Sequence, residues 1–129
     1  MPEAALGSLE EVKLRAHSVR GHFTRYCTSL AKACDNVAAN PGAWYRKEAK
    51  DIFVKVKDEY DVLVDLYRKC TLLDDATDAA IAVWETKCQE VSTDLDNSCT
   101  KLNNVLAHMD RAVQALLLHF VHGPIFSLP

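Results

Sequence analysis

From Ala43 to His122 the chain runs 80 residues without a glycine or a proline. Those two residues supply most of the punctuation that turns need, so a stretch this long without them admits few folds. Apolar residues recur through it at steps of three and four. One column is Phe53, Tyr60, Tyr67, Ile81, Cys88, Leu95, Leu102, Met109 and Leu116. The other is Val56, Leu63, Cys70, Trp84, Val91, Val105 and Ala112. On a helix, heptad spacing of this kind becomes a single apolar stripe. The stripe fails at two consecutive positions, Asp74 and Thr77. Either the helix folds back there or it continues as one rod.

The polar run around Asp74, Asp75 and Asp78 favours a reversal. Aspartate is poor inside helices and good at their N-termini. Asp75 is therefore expected to cap a new helix, with Asp78 in its first turn.

Upstream, Ser8 followed by Glu11 has the form of a capping box, in which each side chain satisfies an orphan backbone N–H. From there Leu9, Ala16, Phe23, Leu30 and Val37 fall seven apart, with Val12, Val19, Tyr26 and Ala33 between them. This predicts a first helix over 9–38, after a frayed lead of residues 1–7. Gly21 lies off its stripe. Asn40-Pro41-Gly42 then breaks the chain, because proline cannot continue the ladder and glycine permits a tight reversal. A second helix is expected over 43–73, with a face wide enough to touch two neighbours. The first two helices are each about 45 Å long, the match a hairpin needs.

A third helix is expected over 76–121, roughly 69 Å long. It overshoots the other two, so its end projects or it bends, with Asn103-Asn104 as the weak point. His122-Gly123-Pro124 should end it, leaving an apolar tail over 123–129. The fold class that follows is all-α, one domain spanning 1–129. Its architecture is an antiparallel three-helix bundle with coiled-coil-like heptads and a longer third helix.

Net charge is −3, but it is unevenly placed. Val12 to Cys34 carries Lys13, Arg15, Arg20, Arg25 and Lys32 and no acid. Asp58 to Asp110 carries twelve acids against Arg68, Lys69, Lys87 and Lys101. The plain explanation is that the basic segment packs beside the acidic one. The functional one is a basic surface on the first helix, formed by Lys13, Arg15, Arg20 and Arg25 with His17 and His22 among them. Such a surface can neutralise phosphates or receive a partner without reading sequence. Its aromatics, Phe23 and Tyr26, belong to the apolar stripe and offer no stacking platform.

Five scattered cysteines form no CxxC pair. Cys70 and Cys88 sit on the stripe, where a thiol acts as a small hydrophobe. Free thiols in a reducing, intracellular and cytoplasmic setting are expected. No Cys/His spacing matches a zinc site, and no glycine-rich phosphate loop occurs. Every cysteine falls within a helix rather than on a strained turn beside a base. These features argue against an enzyme, a metal site or a cofactor. The longest apolar run, in Ala115 to Val121, is too short to span a bilayer.

The run Arg15-Ala16-His17-Ser18-Val19-Arg20-Gly21-His22-Phe23-Thr24-Arg25-Tyr26, with Leu30 beyond it, carries a family resemblance. It is similar to a pattern in the N-terminal, Gag-like region of BEL/Pao-type retrotransposon polyproteins. There a basic–glycine–basic–aliphatic–Thr–Arg run precedes a polar turn and a second amphipathic helix, as Pro41 to Leu73 does here. The resemblance covers residues 9–73. Phe23 departs from it, standing where an aliphatic residue is expected. Arg15, Arg20, Gly21, Thr24 and Arg25 match the motif, and no role is assigned to them.

The resemblance implies a non-enzymatic assembly or interaction domain at the head of a mobile-element polyprotein, or one captured by a host. Protein partners, self-association among them, are the expected ligands. A cytoplasmic coiled-coil adaptor of other origin is the alternative, as is a nucleic-acid-binding module using the basic surface.

Overall fold

The computed structural model describes residues 8–40, 42–74 and 77–127, with side chains described up to Arg111, Met109 excepted. Three helices account for them: α1, Leu9–Ala39; α2, Ala43–Leu73; and α3, Asp78–Ser127. Among the described residues there is no strand.

Each boundary has a local cause. Ser8 is the N-cap of α1, its hydroxyl accepting from Glu11 N at 3.2 Å, so the Ser8 half of the expected capping box is in place. Glu10 and Glu11 lie in the first turn, where the helix dipole favours acids. At the other end Asn40 N donates to Asn36 O, closing α1 one residue beyond the expected boundary. Gly42 caps α2 with extended backbone and no side-chain bond. Helix α2 ends at Leu73, as expected, with Asp74 N donating to Cys70 O at 2.8 Å. The chain therefore folds back where the stripe fails.

The start of α3 differs from expectation. Asp75, the expected cap, and the residues 1–7, Pro41 and 128–129 lie outside the described residues. The cap is Thr77, whose Oγ1 accepts from Ala80 N at 3.2 Å, and Asp78 opens the first turn. A cap must directly precede the first helical residue, and Thr77 fills that place with a suitable hydroxyl.

The far end differs more. His122-Gly123-Pro124 does not end α3, and the supposed tail is helical through Ser127. Proline removes one ladder bond and bends a helix, but amides and carbonyls on either side can still pair past it.

Cross-helix pairs give the topology. Between α1 and α2, Arg20 meets Tyr67, Phe23 meets Tyr60 and Tyr26 meets Lys55, so numbers fall as they rise opposite. Between α2 and α3, Tyr67 meets Trp84, Tyr60 meets Ser92 and Arg46 meets Asp110. Both pairs are antiparallel. Helices α1 and α3 run parallel, as Lys13–Trp84, Arg20–Glu90 and Asp35–Lys101 show.

The heptad columns form the shared core. Phe23, Leu30, Val37, Val56, Leu63, Cys70 and Val91 are almost fully inaccessible. Each large aliphatic or aromatic side chain so buried contributes about 1.5–3 kcal/mol. Phe53, Tyr60, Cys88, Leu95 and Val105 flank them, half-buried. Met109, Ala112 and Leu116 of the columns lie outside the described side chains. The polar positions within the core are satisfied: Tyr60 Oη and Ser92 Oγ share a hydrogen bond at 2.8 Å across α2 and α3.

Gly21, inside α1, is a weak helical position with a simple remedy. A Cβ there would meet nothing closer than Arg25 Nη1 at 4.0 Å. Gly21→Ala should therefore stabilise the fold by about 0.4–1 kcal/mol, since alanine loses less backbone entropy on folding. A urea titration reads the shift, and a loss of stability would show that Gly21 serves close packing.

Candidate functional site

Four basic residues were expected to share one surface of α1. The bundle separates them. At about 100° per residue, Arg20 lies within roughly 20° of Lys13, whereas Arg15 and Arg25 lie about 160° and 120° away from it. Lys13 and Arg20 turn toward α3, and Arg15 and Arg25 are exposed elsewhere on the helix. A single basic face on α1 is therefore not formed. Core packing fixes the rotation of α1, and residues spaced by two, five and five cannot then share a side.

Lys13 and Arg20 instead border a groove between α1 and α3. It encloses about 460 Å³. Ala16 and Trp84 form its floor, Tyr67 and Asp74 close it behind, and His17, Val83 and Lys87 reach its rim. Ala16 and Trp84 are 2% and 6% exposed, whereas Val83 is 52% exposed. The floor is thus solid and the rim is wet.

Trp84 anchors this end of the bundle. Its Nε1 donates to Asp74 Oδ2 at 2.7 Å, tying the first turns of α3 to the end of α2. Its ring lies 6.1 Å from that of Tyr67, and Lys13 Nζ stands 5.8 Å from its centroid. A cation over an indole contributes about 0.5–1 kcal/mol at an accessible site. Because the indole is buried, it cannot stack a nucleobase.

Arg20 works mostly within the fold. Its Nη2 lies 3.8 Å from both Glu90 and Asp94 on α3, and Nη1 is 3.5 Å from Tyr67 Oη. Lower down, Asp35 of α1 pairs with Lys101 of α3 at 3.3 Å. The acidic stretch thus neutralises part of the basic one. These pairs are half-exposed and contribute at most about 1 kcal/mol each, so they set register more than stability. Lys13 has only Glu10 at 3.7 Å, and Lys87 and His17 make no ion pair among the described residues.

Two other grooves flank α2. One, of about 610 Å³ between α2 and α3, is lined by Tyr60, Val64, Leu72 and Cys88. The other lies between α1 and α2, with Tyr26 and Ile52 beside Trp44, which is 66% exposed. Trp44 leans edge-on against Tyr45, centroids 5.1 Å apart.

All five thiols are free. Burial pushes Cys27, Cys34, Cys70 and Cys88 above the ordinary thiol range. Lys101 beside Cys34 and Lys13 near Cys70 pull the other way and do not overcome it. Protonated thiols are poor nucleophiles and poor ligands at neutral pH. Among the described residues no three His, Cys, Asp or Glu side chains come together as a metal site requires. No helix among them is long and apolar enough to cross a membrane.

No family model, no curated protein and no solved structure matches this chain.

Of the groove residues, Lys87, Trp84 and Val83 were not foreseen as a site. Trp84 reads as one more stripe residue, and Lys87, three further on, reads as a solvated charge. Only the parallel placement of α1 beside α3 brings them next to Lys13.

Proposed function

We propose that this chain is a non-enzymatic protein-interaction and assembly module, of the Gag-like kind that its resemblance implies. One observation carries the reading. Arg46, in the first turn of α2, already pairs with Asp110, yet α3 continues to Ser127. That is about 25 Å of helix beyond the pair. The sequence from Ala112 to Ser127 holds no Asp, Glu, Lys or Arg and includes Val113, Leu116, Leu117, Leu118, Phe120 and Phe126. A helical extension with that composition gains most by packing against another protein surface. Burial that raises the thiols of Cys27, Cys34, Cys70 and Cys88, together with a closed core, supports a structural rather than a catalytic role. Five unpaired thiols support an intracellular setting.

The separation of Arg15 and Arg25 from Lys13 and Arg20 favours protein over nucleic acid as partner. A phosphate backbone is bound by a contiguous basic track.

Sedimentation velocity of the full chain tests the reading. Mass should rise with concentration, and the Leu117→Asp/Phe120→Asp double variant should remain monomeric with its helix content intact. A wild-type chain that stays strictly monomeric at high concentration would count against assembly. For the retroelement origin, the neighbouring coding sequence decides. Protease and reverse-transcriptase reading frames downstream support it, and a stop codon with neither frame nearby counts against it.

A further inference from the structure

We propose that the α2–α3 hairpin is a hinge through which two copies of this chain exchange α3. The hinge straightens, α2 and α3 become one helix, and the α3 of each copy packs on the α1–α2 hairpin of the other. This exchange is independent of any contact made by the C-terminal part of α3.

Its basis is a register that a hairpin does not require. Val56, Leu63, Cys70, Thr77, Trp84 and Val91 fall seven apart, and so do Phe53, Tyr60, Tyr67, Asp74, Ile81, Cys88 and Leu95. On one continuous helix, both columns would keep to one side straight through the reversal. A turn sets the rotation of the second helix afresh, so phase along the sequence need not survive it. Here it does: Val56, Leu63 and Cys70 before the turn and Trp84 and Val91 after it are all buried. No glycine or proline occurs from Ala43 to His122, so no residue at the hinge breaks a helix outright.

Straightening gives up the Thr77 cap on Ala80 N and the present form of the Asp74–Trp84 bond. In return the backbone ladder continues, with the amide of Asp78 reaching the carbonyl of Asp74 four residues back. The remaining contacts of α3 are re-formed between copies. Two such rods related by a two-fold axis run antiparallel, so each α3 is antiparallel to the other copy's α2 and parallel to its α1, as within one chain. Tyr60 again meets Ser92, Tyr67 meets Trp84, and Arg20 meets Glu90 and Asp94. Exchange of an identical element needs no new surface, which makes it a low-cost route to a dimer.

Only the hinge positions meet new neighbours. Tyr67 lies opposite Trp84, Asp74 is seven residues beyond Tyr67, and Thr77 is seven residues before Trp84. Asp74 of one copy therefore faces Thr77 of the other at the two-fold axis. A carboxylate and a hydroxyl stand where the stripe would otherwise place two apolar residues. Polar residues at single seam positions lower the stability of one association state and so select another. The break in the stripe thus biases the chain toward keeping its own α3.

Refolding the full chain from urea at high protein concentration tests this, because α3 must be free of its own bundle to exchange. Size-exclusion chromatography after dilution should show a dimer that reverts slowly, since return requires α3 to unpack again. Asp78→Pro should lower the dimer fraction by at least about 100-fold. Residue 78 is the first of α3, where proline is tolerated, but it is interior to the straightened helix, where proline breaks the ladder. Asp74→Leu/Thr77→Leu completes the stripe and should raise the fraction by about 10-fold or more. Leu117→Asp/Phe120→Asp should leave it unchanged, because those positions lie beyond the Arg46–Asp110 pair. A wild type that refolds only to monomer overturns the proposal. So does a folded Asp78→Pro variant as dimeric as wild type, or a Leu/Leu variant no more dimeric. A persistent dimer abolished by Leu117→Asp/Phe120→Asp overturns it in favour of contact through the end of α3.

Discussion

Replacing Trp84 with alanine is expected to destabilise the bundle by about 3–5 kcal/mol, the usual cost of emptying a large aromatic site. The residue is 6% exposed and joins all three helices. Its ring packs near Tyr67 of α2, its Nε1 holds Asp74 at the end of α2, and Lys13 of α1 lies over its face. The short α2–α3 connection places these groups together, so the loss should be felt first where α3 begins. Amide exchange in the first turns of α3 should accelerate more than in α1. Trp84→Phe separates two contributions. It keeps most of the buried ring and removes the bond to a carboxylate, worth about 1.5–3 kcal/mol. Equal losses for the two variants would mean that the ring itself contributes little. A midpoint within error of wild type for Trp84→Ala would remove Trp84 as the anchor of α3.

Phe23→Ala should cost a similar amount, about 3–5 kcal/mol, for a different reason. Phe23 is 0% exposed at the middle of the α1–α2 hairpin, its ring 6.4 Å from that of Tyr60. The alanine variant leaves a cavity between two helices whose heptads are held above and below it. Those helices cannot collapse inward without disturbing Ala16 and Leu30, which are also buried. A thermal midpoint lowered by roughly 10–25 °C is expected. Phe23→Leu, closer to the aliphatic residue of the Gag-like pattern, should recover most of the loss. If Phe23→Ala unfolds no more readily than wild type, the hairpin core lies elsewhere.

The core was legible because both columns obey a simple rule. Apolar residues seven apart on a helix must share a side, whichever neighbour covers it. Thus Phe23, Leu30, Val37, Val56, Leu63 and Val91 are where the spacing puts them. The boundaries of α1 and α2 were legible too, through Ser8, the Asn40–Gly42 break and the polar residues after Leu73. The two ends of α3 were less so. Thr77 and Asp75 are both competent caps, and only the position of the first helical residue chooses between them. Glycine and proline at 123 and 124 signal a stop by average behaviour, whereas α3 continues past them.

The basic cluster marks the limit of reading along the chain. Sequence proximity placed Lys13, Arg15, Arg20 and Arg25 together, but a helix distributes residues around its axis. Which of them meet α3 depends on the rotation that core packing imposes. Likewise, Lys87 lies 74 positions from Lys13, yet both border the same groove.

By itself, then, the sequence determined that this chain forms helices and which residues fill their shared side, and the structure decided that the polar run after Leu73 divides two of them. Those properties follow from local periodicity and from the residues that can cap or break a helix. The tertiary structure decided which flanks face each other. Two antiparallel hairpins place α1 parallel to α3, and that arrangement alone sets Arg20 against Glu90 and Asp94 and brings Lys13 and Lys87 to one groove. Such pairings join residues far apart in the chain, and no local rule of spacing encodes them.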